Sequence, residues 1–231
     1  MGSDTTDAAP EDREPAISAD SLALKGTRGP VYGPHTFTIP EGGITVLQSP
    51  PGTGRTALLL TLTGRMRPTS GSLTILGLPY PKRGHRIRKH TSIAGFSTID
   101  DLDDALTVGD AIRERDTWAT PAYRFVGRTT NDRVDEVCAL MFDDRPIPTA
   151  KTVVWDLSQL DRLLLQVSLA LVDDPHILAV DDLAQVENLT DRAHLIDRLA
   201  ALTPHRTVLT TAVEHVTQDP TVSHLGLATS R

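Results

Sequence analysis

The sequence predicts an α/β fold: a mostly parallel sheet, an antiparallel β lobe near the start of the chain, and a helical lobe. Three observations predict it. A Gly/Pro loop at 49–54 joins an apolar strand to a Leu-rich helix. The apolar run Ile177–Val180 ends in two acids, Asp181 and Asp182. Strand-like and helix-like stretches alternate through the second half, the order that builds parallel sheets.

From Leu22 to Leu47 the pattern is strand-like, with turns expected at Gly26, Gly29–Pro30, Gly33–Pro34 and 41–43. Ile44–Gln48 reads as a buried strand, because it is a short apolar run bounded by loops. Arg55–Gly64 reads as a helix. Gly71–Gly77 is a short strand closed by a turn. Lys82–His90 is a basic patch of Lys82, Arg83, His85, Arg86, Arg88, Lys89 and His90, and its plain reading is a solvated loop face. Ile93–Phe96 is a short strand. Thr107–Arg115 starts a helix with Asp110 near its first turn. Arg133–Phe142 carries Val134, Val137, Cys138 and Met141 at helical spacing. Gln159–Val172 and Asp191–Leu202 are helices, and Thr207–Thr211 is a strand.

Bulk properties narrow the function classes. With 231 residues and 39% apolar content the chain can bury a sizeable core, packed mainly by Leu, Val, Ile and Ala because aromatics are 4%. A formal charge of −7 argues against general nucleic-acid binding, which favours a basic footprint. The lone Cys138 has no partner for an internal disulfide, so a cytosolic setting is expected. No apolar run is long enough to span a bilayer. Residues 1–19 read as a disordered acidic tail without the basic-then-apolar order of a secretory signal, and 20–231 as the folded domain.

The strongest local signal is Ser49-Pro50-Pro51-Gly52-Thr53-Gly54-Arg55-Thr56, followed by Ala57. Its place between strand and helix is the context required of the phosphate loop G-x-x-x-x-G-K-[ST]. In such a loop backbone amides and a helix N-terminus face phosphate oxygens. Thr56 supplies the hydroxyl that ligates Mg²⁺. Ser49 stands where the first glycine is expected and Arg55 where lysine is. Arg keeps the charge but presents a wide fork instead of a compact point. At the end of Ile177–Val180, Asp181 is placed to hold Mg²⁺ and Asp182 to orient an attacking water.

The order of these segments resembles the ATP-binding cassette (ABC) ATPases of transporters, a branch of the P-loop NTPases. Leu157-Ser158-Gln159-Leu160-Asp161 resembles the family's LSGGQ signature, and it precedes Asp181 by the family's usual interval. Leu106-Thr107-Val108 resembles its LTV segment, Ile39–Gly43 its I-P-x-G-E turn, and Thr69–Leu73 its P-T-S-G turn. The likeness covers about Leu22 to Val216 and implies a helical subdomain near 102–168. It implies ATP and Mg²⁺ as ligands and Ser158 as a contact to nucleotide. The partners it implies are a transmembrane subunit and a second cassette, with the chain peripheral at the inner face of the membrane.

The same comparison marks losses. Gln159 and Leu160 stand for the signature glycines, where their side chains are expected to obstruct phosphate. Asp182 stands for a glutamate, Val213 for the switch histidine (His215 follows two residues later), and Asn188 for the D-loop aspartate. No glutamine lies near Ser97–Ile99. The adenine-stacking aromatic falls at Gly26, leaving Tyr32 and Phe37 as substitutes. Phosphoryl transfer depends on positioning and preset charge, so hydrolysis is expected to be very slow or absent. The alternatives are a non-catalytic pseudo-ATPase with a structural or regulatory role, and a small-molecule kinase. The Leu106–Val108 and Leu157–Asp181 patterns disfavour the kinase.

Overall fold

A computed structural model describes residues 15–97, 99–120, 127–213 and 222–227. Two sheets organise it. The first is antiparallel, in the order β2-β1-β4-β5, from β1 (Pro15–Gly26), β2 (Gly29–Pro40), β4 (Ser70–Ile75) and β5 (Leu78–Tyr80). The second has the order β6-β7-β8-β3-β9, from β3 (Ile44–Gln48), β6 (Thr91–Ala94), β7 (Ile177–Val180), β8 (Thr207–Ala212) and β9 (Val222–Gly226). All of its pairings are parallel. The helices are α1 (Arg55–Leu62), α2 (Gly84–Arg88), α3 (Val108–Ala119), α4 (Asn131–Phe142), α5 (Gln159–Leu171) and α6 (Leu189–Ala200).

The central strands β3, β7 and β8 are buried along nearly their whole length, and β3 and β7 read as short apolar runs. Alternation along each strand then feeds two cores. Val46, Leu178, Val180 and Val208 face a core shared with α3, α4, α5 and α6. Leu47, Ile177, Ala179 and Leu209 face the other, shared with α1 and the antiparallel sheet. Cys138 is fully buried in the first core, where burial pushes its thiol up to about 12 and keeps it protonated.

The helical lobe is set by local signals. Thr107 caps α3 and forms a reciprocal capping box with Asp110, which satisfies two amides of the first turn. Thr130 caps α4, and Ser158 caps α5 by accepting from the amide of Asp161. From α3 to α5 this lobe spans 108–171.

Several expectations are corrected. Residues 15–19, assigned to the tail, form the start of β1. Small and polar residues there give no strand signal, but Ile17 pairs with Ile39 on one side and Ile75 on the other. Residues 1–14 lie outside the described residues. Gly33–Pro34 does not interrupt the chain as a turn; it sits within β2. The antiparallel lobe is discontinuous in sequence, because β3 leaves it for the parallel sheet. The basic stretch 82–90 is not a plain loop but carries the short α2, anchored by the buried Ile87. The short strand expected at Ile93–Phe96 runs instead from Thr91 to Ala94.

Candidate functional site

The parallel register brings the two strongest sequence signals together at one end of the sheet. β3 lies beside β8, and β8 beside β7. The loop leaving β3 therefore opens onto the acids that end β7.

The loop is braced from within. Thr53 Oγ1 donates to the carbonyl of Pro50 at 2.7 Å, and Ser49 Oγ lies 2.5 Å from Thr53 Oγ1. With the Thr53 proton engaged on Pro50, Ser49 is the donor of that short contact. Ser49 is buried, so at the position of the missing glycine it holds the loop's shape. Pro50 and Pro51 are exposed at its crest.

Gly52 and Gly54 both require positive φ, 77° and 79°. They differ in surroundings. A Cβ on Gly52 would meet nothing within 4 Å, whereas one on Gly54 would lie 2.3 Å from the carbonyl oxygen of Val31. Gly52 thus lines open space, and Gly54 is packed against β2. A side chain at 54 would therefore collide with β2 and not with a phosphate on the loop.

Gly54 is the left-handed N-cap of α1, no side chain caps that helix, and no acid occupies its first turn. Unpaired amides at a helix start form a positive pole suited to an anion. Arg55, Thr56 and the half-buried Ala57 make up this first turn.

Thr56 Oγ1 donates to Asp181 Oδ2 at 2.5 Å, and Thr211 Oγ1 donates to Asp181 Oδ1 at 2.9 Å. Asp181 is buried at 8% exposure and carries no ion pair among the described residues. Two hydroxyls therefore meet the carboxylate in place of a cation. A hydroxyl and a carboxylate in contact beside an anion-suited helix start are oxygen donors of the kind Mg²⁺ takes with phosphates. The residues present fit that ion, and Thr56 and Asp181 are the pair that would hold it.

Asp182 is differently engaged. Its Oδ1 accepts from the amide of Ala184 at 3.0 Å, and its Oδ2 from Arg55 Nη2 at 3.3 Å. The other terminal nitrogen of Arg55, Nη1, is buried with no hydrogen-bond partner among the described residues.

The residues taken from the resemblance fall into place unevenly. Ser158 donates to Asp161 Oδ2 at 2.7 Å, so its hydroxyl serves the first turn of α5. Gln159 is exposed, but Leu160 turns into the helical-lobe core at 1% exposure. Of the two, only Gln159 stands outward, which corrects the expectation that both side chains obstruct. Asn188 caps α6 through the amides of Thr190 and Asp191. Val213 is exposed, and His215 lies outside the described residues.

Tyr32 and Phe37 are both buried, and Tyr32 Oη donates to Thr61 Oγ1 at 2.7 Å. Burial pushes the Tyr32 phenol up to about 12. Neither ring is free to stack on a base.

Two contributors escape a reading of motifs. Thr211 pairs with Asp181 because the register sets Val180 opposite Thr210; the signal is the Thr210–Thr211 pair near the end of β8. Gln185 donates to the carbonyls of both Gly95, at 2.7 Å, and Asp181, tying the end of β6 to the end of β7.

Comparison with known proteins bears on the family and the fold. The sequence model described as "ABC transporter" matches residues 32–185. The Nod factor export ATP-binding protein I of Rhizobium meliloti (strain 1021) is 26% identical over 171 residues, 73% of this chain and 48% of that protein. The mycobactin import ATP-binding/permease protein IrtB of Mycolicibacterium smegmatis is 27% identical over 207 residues, 87% of this chain and 34% of that protein. The chain thus spans about half the length, or less, of these curated relatives. A putative ABC transporter ATP-binding protein from Pyrococcus furiosus superposes with a TM-score of 0.70 at 17% identity, over 91% of this chain and 96% of that one. Motif order, two-sheet architecture and a match across most of the described domain agree: the chain belongs to the ABC transporter family.

Proposed function

We propose that this chain binds ATP with Mg²⁺ on loop 49–56 and serves as the ATP-binding subunit of an ABC transporter. It does so beside a transmembrane partner and a second cassette, peripheral at the inner face of the membrane. Among the described residues no helix is long and apolar enough to cross a membrane, so the reading assigns transport itself to a partner. The observation that carries it is the Thr56–Asp181–Thr211 cluster beside the open N-terminus of α1. Bound Mg²⁺ would neutralise phosphate charge there, and the amides of the loop would orient the phosphate chain.

Hydrolysis is slow in this reading. Asp182 is engaged by Arg55 and by the amide of Ala184, and Val213 offers no hydrogen-bonding side chain. The same facts favour a second reading, a pseudo-ATPase with a structural or regulatory role. Isothermal titration of the purified chain with ATP, with and without Mg²⁺, separates the two. Binding that tightens with Mg²⁺ supports the first; no binding in either condition supports the second.

A further inference from the structure

We propose that Asp182 is a positioning residue for Arg55, a latch that phosphate must open, and not the base of a hydrolytic step. The proposal rests on nucleotide binding at loop 49–56.

The geometry is specific. Arg55 starts α1, and Asp182 is the second residue after β7. Their contact at 3.3 Å spans 127 positions of sequence. The arginine side chain is 12% exposed and the aspartate 28%, so water screens the pair only in part. Asp182 is fixed from its other oxygen by the amide of Ala184. The carboxylate is therefore a stationary acceptor and the arginine the movable member.

The arginine is also incompletely satisfied. Nη1 is buried without a partner among the described residues, while Nη2 meets Asp182. A buried donor left unpaired is costly. A guanidinium matches a phosphate with two parallel donors, so phosphate at the loop offers Arg55 a partner for both nitrogens. Binding then transfers the arginine from Asp182 to phosphate. A lysine could not divide its donors in this planar fork, which gives the substitution at position 55 a physical use.

The latch makes a prediction that a general base does not. Removing the Asp182 charge spares the cost of opening the pair and tightens phosphate binding. Asn at 182 retains an acceptor for the Ala184 amide, so the local turn survives. The test is a double-mutant cycle on the affinity for ATP in EDTA, using wild type, Asp182→Asn, Arg55→Ala and the double variant. Asp182→Asn is expected to tighten ATP about threefold to tenfold, and inorganic tripolyphosphate alike, because the effect resides in the phosphate chain. In the Arg55→Ala background the same change is expected to give a smaller gain. A latch requires that order. Simple repulsion between Asp182 and phosphate gives the reverse, because without Arg55 the carboxylate is bare.

A gain in the Arg55→Ala background equal to or larger than that in wild type overturns the latch and leaves nucleotide binding standing. Loss of ATP binding in all four proteins overturns both. An effect on ATP but not on tripolyphosphate overturns the latch as well. Should Asp182→Asn fail to fold, Asp182→Ser, which also presents an acceptor, takes its place in the cycle.

Discussion

Thr56 and Asp181, 125 positions apart in sequence, are joined by a 2.5 Å hydrogen bond between hydroxyl and carboxylate. One lies in the first turn of α1 and the other directly follows β7, so the bond couples the two segments on which the proposed Mg²⁺ site depends. Thr211 completes the contact from the strand between them. If this cluster holds Mg²⁺, Thr56→Val should abolish the tightening of ATP by Mg²⁺ and leave Mg²⁺-free affinity near wild type. Thr56→Ser should restore it. A loss of about tenfold in the presence of Mg²⁺, equivalent to about 1.4 kcal/mol, is the expected scale. Isothermal titration measures it, and equal losses in Mg²⁺ and EDTA would count against Thr56 as a metal ligand.

The two loop glycines should separate folding from binding. Gly54→Ala forces a side chain onto the Val31 carbonyl at 2.3 Å, adding overpacking of about 1–3 kcal/mol to a left-handed backbone cost of about 1–2 kcal/mol. Gly52→Ala carries the backbone cost alone, because the space around it is open. Thermal unfolding should therefore place Gly54→Ala several degrees below Gly52→Ala, at about 2–4 °C per kcal/mol for a chain of this size. Equal melting temperatures would refute the packing role of Gly54.

What the sequence reveals follows from where its physics is local. Ile44–Gln48 and Ile177–Val180 match the expected strands end for end, because a buried strand is a short apolar run between loops. The Thr107–Asp110 start of α3 is legible for the same reason, since a capping box lies within four residues. Residues 15–19 and Val222–Gly226 are strands by virtue of their neighbours: the first pairs with β2 and β4, the second with β3. Their own residues show no strong period. The direction of Leu160 and the burial of Tyr32 also depend on packing from distant segments. The motifs bring positions 55 and 182 into one neighbourhood, but the Arg55–Asp182 pairing itself has no sequence signature, because it depends on how the arginine side chain packs.

Asp100 gives a pH dependence of defined sign. It lies where the chain passes from β6 towards α3, and burial raises its carboxyl from 3.8 to about 7, against the opposing pull of Arg115 and Arg65 and the amide of Gly95; Asp101 adds to the rise. The native state therefore holds this proton between about pH 4 and 7 while the unfolded chain releases it. Stability from this group falls as pH rises through that window. Asp100→Asn should remove the loss. The variant should match wild type near pH 4 and exceed it at pH 8 by up to a few kcal/mol, since each unit is worth about 1.4 kcal/mol. Urea unfolding at the two pH values measures this. A variant equally or less stable at pH 8 would rule out the burial penalty.

Hydrolysis by the chain alone should be very slow, and Asp182 should be only part of the reason. A water must be held in line with the terminal phosphate, and charge developing on the phosphoryl oxygens must meet preset donors. Asp182 is short and held by Arg55 and the amide of Ala184. Val213 is exposed without a donor in its side chain, and Gln159 stands outward at the start of α5. Restoring Asp182→Glu alone should rescue little, because a glutamate remains within reach of Arg55. Combining Asp182→Glu, Val213→His and Arg55→Lys should rescue more, since it removes the forked partner and supplies a hydrogen-bonding side chain. Two copies of that variant would still present Gln159 where the family has a glycine, so full activity should not return. Steady-state phosphate release from purified wild type and these variants is the measurement. A wild-type turnover of about 1 s⁻¹ or more, within the ordinary enzyme range, would show that these positions are not needed for catalysis in this chain.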